Sequence, residues 1–114
     1  MKFVAVLAAV AVCALLFVRA AGPAATDERL TRHRNLGKAF YENPTTQKEA
    51  VEEFRKARDL APNSARERLN FGLAQLRAGK TAEGIAELIR VQKQDPSIPH
   101  TWFNLGIAHK KAGE

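Results

Sequence analysis

The 114-residue chain has a single cysteine, Cys13, and it lies inside an apolar run. A disulfide framework and a Cys-based zinc site are both excluded. Aromatic residues are scarce at 7%, with one Trp and one Tyr, and β-branched residues are few outside the first twenty positions. A chain poor in strand formers and rich in Ala, Leu, Glu, Lys and Arg has the composition of an all-helical domain. No block of one charge sign occurs either. The formal charge is +6, from 18 basic and 12 acidic residues, and setting aside Lys2 and Arg19 in the first 21 residues leaves +4. So mild and interspersed an excess is no footprint for nucleic acid. Phosphate loops, GxSxG elbows and HExxH pairs are missing as well.

What the chain does have begins with its leader. Met1-Lys2 gives a short positive start, residues 3–18 are apolar without exception, and Arg19-Ala20-Ala21-Gly22-Pro23 follows. As a helix the run would rise roughly 24 Å, short of a hydrocarbon core of about 30 Å. Secretory signals have this size and end in small residues; Val18-x-Ala20 would serve, with cleavage before Ala21. Arg19 fits that site poorly and suits a second reading, in which it snorkels at the interface and residues 2–21 remain as an uncleaved anchor. A mis-assigned start is a third. Cys13 makes no lipoprotein site, because Val12 precedes it where a small residue is needed. Residues 1–21 therefore read as a signal peptide or N-terminal membrane anchor. Either places the remainder outside the cytoplasm, periplasmic, secreted or anchored facing outward. Residues 22–29 read as a linker, with Asp27 and Glu28 suited to a helix start.

Beyond the linker the chain repeats itself. Asn35-Leu36-Gly37, Asn70-Phe71-Gly72 and Asn104-Leu105-Gly106 are spaced by 35 and then 34 residues, and Pro62 to Pro96 is again 34. A fixed period of this length marks a helical repeat array. Thr46-x-x-Glu49 and Ser64-x-x-Glu67 have the form of capping boxes, while Pro44, Gly79 and Gly113 interrupt the chain after the first, third and fifth helices. The spacing predicts helices near 29–42, 46–60, 64–78, 81–94 and 98–112. The second carries Ala50, Val51, Phe54, Ala57 and Leu60 on one stripe, and the fourth carries Ile85, Leu88, Ile89 and Val91; such amphipathic helices each need a neighbour. Gly37, Gly72 and Gly106 fall mid-helix, where glycine costs about 1 kcal/mol against alanine. A penalty repeated at one register implies close approach by a partner helix. Ala50 and Gly84 are the matching small residues, with Leu36, Phe71, Leu105, Phe54 and Leu88 filling the space beside them.

Trp102-x-x-Leu105-Gly106-x-x-His109 in the third copy, and Ala50-x-x-x-Phe54-x-x-Ala57 followed by Pro62 in the first, resemble the tetratricopeptide repeat (TPR) family over residues 30–114. The resemblance implies an all-α fold: an α-solenoid of about two and a half helix-turn-helix units, near 30–63, 64–97 and 98–114, preceded by an apolar N-terminal helix. The chain departs from the pattern in places. Phe40, Gln75 and His109 stand where the family prefers a large aromatic, and His33 and Arg68 replace the Trp of the third copy. The wording is similar to exported bacterial surface proteins in which such arrays precede other domains. With the second helix of the third unit missing, Trp102, Leu105 and Ala108 are expected to lack their usual cover. The sequence then reads as a piece of a longer array, or else as a chain whose last helix offers a surface for self-association.

No enzyme constellation is visible. His33, His100 and His109 sit at different registers with no i, i+4 pair for a metal, and Glu49, Glu52, Glu53 and Asp59 alternate with Arg55, Lys56 and Arg58 as a solvated, mutually supporting face. Neither a cofactor nor catalysis is expected. The resemblance instead implies a concave groove lined by the first helices, faced by the residue before each Leu-Gly or Phe-Gly pair: Asn35, Asn70 and Asn104. An amide both donates and accepts, so a row of them can pair with an extended peptide backbone. By register Arg34, Lys38, Arg66, Lys110 and Lys111 lie on or beside that surface and would favour peptides bearing carboxylates. The carboxylate-clamp subtype is not reproduced, since Lys38 and His100 stand where it prefers Asn and Lys. The expected function is a non-catalytic scaffold that binds a peptide in the groove. The alternative is a spacer or assembly module of a larger exported protein, with these asparagines meeting water.

Overall fold

The computed structural model describes residues 23–113. The apolar leader, its cleavage or anchoring, and the N-terminal apolar helix all lie outside the described residues. Five helices follow one another: α1 (Pro23–Glu42), α2 (Gln47–Leu60), α3 (Ala65–Arg77), α4 (Thr81–Gln94) and α5 (Pro99–Lys111), with no strand among the described residues. None of these helices is long and apolar enough to cross a membrane. Four of the five lie within two residues of the spans that the periodicity predicts. The exception is α1. Its start precedes residue 29, so the stretch expected as a linker is helical from Pro23 on. Proline is tolerated in a first turn, and nothing in Ala-Ala-Thr-Asp-Glu-Arg breaks the helix after it, although residues 25–29 are exposed.

The helix ends follow from local chemistry. Gly79 has φ of +81°, Lys80 N donates to Gln75 O at 2.9 Å and Gly79 N to Leu76 O at 3.1 Å. This is the paired closure of a helix end that requires a left-handed residue, which glycine adopts without strain. Ser64 Oγ accepts from Glu67 N at 3.3 Å, so α3 is capped as expected, but the reciprocal half of that capping box does not form because the Glu67 carboxylate turns to Arg34. The box expected at Thr46 and Glu49 is absent altogether. Thr46 makes no cap to α2; its hydroxyl donates backwards to Phe40 O at 2.8 Å. Asn43 completes that turn, its Oδ1 accepting from Thr45 N and Oγ1 at 2.9 and 2.8 Å. The unpaired carbonyls at the end of α1 win the threonine.

The helices associate as neighbours, α1 with α2 and α3 with α4 most closely, then α2 with α3 and α4 with α5. Most of the predicted stripes lie in the core: Ala50, Val51, Phe54 and Ala57 of α2 are buried, as are Leu88 and Val91 of α4, together with Phe71, Ala74, Leu105 and Ala108, whereas Leu60, Ile85 and Ile89 are half-buried. Burying a side chain of the size of Leu88 or Phe54 contributes about 1.5–3 kcal/mol. The glycines explain the closeness of the pairs. A Cβ on Gly37 would lie 2.6 Å from the Phe54 ring; one on Gly72 would lie 3.1 Å from Glu87 Cβ and 3.5 Å from Leu88 Cδ2; and one on Gly84 would lie 2.7 Å from Leu76. Phe54 and Leu88 are 34 positions apart, so the first two units share one contact. The third does not: nothing lies within 4 Å of a Cβ on Gly106. Two expectations need correcting. Leu36 is exposed rather than filling space. Leu105 and Ala108 are buried, on a helix that packs chiefly against α4 and also meets α3; of the three, Trp102, 55% exposed, lacks cover, its Nε1 donating to Pro96 O at 3.0 Å.

A side-chain clamp onto a glutamate repeats with the helices. His33 of α1 donates from Nδ1 to Glu53 Oε2 of α2 at 2.6 Å. Arg68 of α3 donates to Glu87 Oε2 of α4 at 3.3 Å. These are the same two register positions in successive units, and in each the glutamate also binds the cation three residues on, Lys56 in one and Arg90 in the other. In the third copy Trp102 holds the position of His33 and Arg68.

Candidate functional site

The first, third and fifth helices present a common surface because each spends its other face on the core. Two adjoining depressions lie on it, sharing Tyr41 and Leu73. The larger, about 340 Å³, is lined by Tyr41, Leu73, Leu76, Arg77, Thr81, Asn104, Ile107, Ala108 and Lys111. The smaller, about 110 Å³, is lined by Lys38, Tyr41, Phe54, Asn70 and Leu73. The lining positions advance in steps of three or four along each helix, so one stripe of each faces the groove. The period matches them across units. Asn70 answers to Asn104, Leu73 to Ile107, and Arg77 to Lys111; the corresponding positions of α1 are Asn35, Lys38 and Glu42.

The floor is joined to the core through an aromatic stack. The Arg77 guanidinium sits 4.5 Å from the centroid of the Tyr41 ring, a favourable cation–π geometry. Tyr41 in turn meets Phe54 edge-on, with centroids 6.4 Å apart. Arg77 of α3, Tyr41 of α1 and Phe54 of α2 are thereby linked, and the groove wall is joined to the buried cluster of Ala50, Val51, Phe54, Phe71 and Ala74. Among the described residues no carboxylate lines either depression, and Lys38, Arg77 and Lys111 make no ion pair with a described residue. Elsewhere Arg34, Lys56, Arg58, Arg68 and Arg90 all sit on carboxylates.

Of the residues expected in the groove, Lys38, Asn70, Asn104 and Lys111 are brought together there. Asn70 is half-buried. Asn104 lines the larger depression and also donates Nδ2 back to His100 O at 2.8 Å, which ties one of its donors to its own helix. Asn35, Arg66 and Lys110 are exposed and line neither depression. Arg34 is engaged otherwise: Nε donates to Glu67 Oε1 at 2.7 Å and Nη2 to the same oxygen, joining α1 to α3. Glu67 is fully buried, and its Oε2 has no hydrogen-bond partner. The sequence reading passed over Tyr41, Leu73, Arg77 and Ile107. A step of three beyond each asparagine would have found Leu73 and Ile107; the stacking of Arg77 on Tyr41 is a tertiary contact with no sequence signal.

The ionisable groups with shifted pKa lie on α2, away from the groove. Burial pushes the Glu53 carboxyl up, but hydrogen bonds from His33 and Lys56 and the charge of both outweigh it and hold the group below its ordinary value. Glu52 is lowered chiefly by the hydrogen bond from Arg55. Among the described residues no three His, Cys, Asp or Glu side chains gather closely enough to share a metal ion. The two depressions bring together cations, amides and apolar side chains, a set suited to non-covalent binding. Neither a scan of protein-family models nor a search of curated proteins finds a match to this chain.

Proposed function

We propose that this chain is a TPR-type repeat module that binds a peptide segment of another protein along the surface of α1, α3 and α5, without catalysis. The observation that carries the reading is the matched placement of groove residues. Asn70 with Asn104, and Leu73 with Ile107, stand one period apart and line two contiguous depressions. A solenoid of stacked helix pairs produces this arrangement because each unit repeats the orientation of the last. An extended peptide would run across the three helices, its backbone amides meeting Asn70 and Asn104 and its side chains entering the depressions. The leader, as a signal or as an anchor through residues 2–21, would place that groove outside the cytoplasm.

A photo-crosslinking amino acid at Leu73, compared with one at the exposed Ala86 of α4, tests the reading in the exporting cell. Adducts to a distinct protein from position 73 and none from position 86 are expected. Equal adducts from both, or none from either, would remove the groove from consideration.

A second reading, an assembly module with an empty groove, is favoured by α5. Phe103 is 68% exposed, Trp102 stands beside it, and Gly106 is open; an apolar face of this kind suits self-association or a further element of a larger protein. Concentration-dependent oligomers that Phe103→Ser abolishes, with no groove adducts, would favour it.

A further inference from the structure

We propose that the groove selects an acidic segment built around one bulky aliphatic side chain, seated between Tyr41, Leu73 and Ile107 while flanking carboxylates meet Lys38 on one side and Arg77 and Lys111 on the other. This rests on the peptide-groove reading above and adds to it the chemistry of the guest. The larger depression, about 340 Å³, is at the lower end of the roughly 300–1,000 Å³ typical of ligand pockets. It has room for one large side chain with its backbone rather than for a folded element. Its floor is apolar, from Leu73, Leu76 and Ile107, and Ile107 is half-exposed to solvent, so a guest side chain would remove apolar surface from water on both partners.

Charge fixes the rest of the guest. The three lining cations come from three different helices, and no carboxylate of a described residue lines either depression. Lys38 lines the smaller depression and Arg77 and Lys111 the larger, so positive charge flanks the apolar floor along the direction in which an extended segment would run. Arg77 is already oriented by its stacking on Tyr41. A planar guanidinium held in place loses little freedom when it binds a carboxylate through two hydrogen bonds. A basic or neutral guest would leave these three charges unanswered. Glu42, one period before Arg77, is exposed and lies outside both depressions.

The test is fluorescence anisotropy of the full chain in non-ionic detergent against four labelled twelve-residue peptides: Asp/Glu-rich with a central Leu, the same with Ser for Leu, a Lys-rich peptide with Leu, and an uncharged Gly/Ser peptide with Leu. The acidic Leu peptide is expected to bind, and to lose at least ten-fold in affinity on replacement of Leu by Ser. Ile107→Ser should cost a similar factor. The double variant Arg77→Glu and Lys111→Glu should lose the acidic peptide and gain the Lys-rich one, a reversal that a misfolded protein could not show. Lys48→Glu with Lys93→Glu, an equal charge change at exposed positions of α2 and α4 outside both depressions, should alter nothing. Equal loss with that control pair, or equal binding of the acidic Leu and Ser peptides, overturns the proposal in favour of diffuse attraction. Tighter binding of the uncharged or Lys-rich peptide, sensitive to Asn70→Ala, overturns this guest and leaves the groove standing. No binding by any of the four sinks this guest, and the crosslinking comparison then decides separately whether the groove is used.

Discussion

Arg34 and Glu67 show how far one side chain's partner can redirect its role. Arg34 reads as a groove cation by register, yet it bridges α1 to the fully buried Glu67 of α3. Removing one member of such a pair strands the other charge, at a cost of about 3–5 kcal/mol, whereas replacing both with apolar residues of similar volume is near neutral. Arg34→Ala is therefore expected to lower the urea midpoint steeply, and Arg34→Met with Glu67→Leu to recover most of it. A single variant as stable as the parent would show that water reaches Glu67. The glycines make a second contrast. Gly37→Ala drives a Cβ into the Phe54 ring and should destabilise by about 1–3 kcal/mol, as overpacking does. Gly106→Ala meets open space and should stabilise α5 by up to about 1 kcal/mol through helix propensity. Thermal denaturation of the two variants checks both signs. Their shared register was legible in the sequence; their opposite surroundings were not, because a spacing carries no information about which neighbour is present.

At the scale of the element, hydrophobic periodicity and helix breakers located α2 to α5 closely, since an amphipathic stripe and a proline or left-handed glycine act through local geometry. The capping boxes fared unevenly for the same reason in reverse. A hydroxyl has several acceptors within reach, and at Thr46 the carbonyl of Phe40 won. The repeated clamp between first and second helices also belongs here, and in the first unit it responds to pH. Because Glu53 is held below its ordinary value by His33 and Lys56, its contribution is complete above the unfolded carboxylate range, about pH 4, and is lost as the pH falls through the lowered value. Urea denaturation between pH 7 and pH 3 should show stability declining on the acid side, with Glu53→Gln removing part of that decline. An unchanged slope would mean the pair contributes nothing.

For the whole molecule, stability is carried by contacts between successive helices. α2, α3 and α4 each have close neighbours on both sides, while α5 leans mainly on α4. Hydrogen exchange should therefore be slowest in α3 and fastest, among α2 to α5, in α5, where local opening costs least. Leu88→Ala, at a fully buried position of α4, should cost about 2–5 kcal/mol and loosen α5 together with α4. Uniform protection across the five helices would contradict this neighbour-to-neighbour arrangement.

What the sequence determined by itself is the helical class, the repeat interval and most of the buried stripe positions, because each is a pattern that a regular helix converts directly into a face. Only the tertiary structure decided which cations remain available and which are neutralised, that Tyr41 and Arg77 form a wall of the groove, and that Gly106 is left open. These depend on side chains more than thirty positions apart in the chain, such as Arg34 and Glu67 or Tyr41 and Arg77, and no local pattern says which of several carboxylates or rings a guanidinium will reach once the helices are packed.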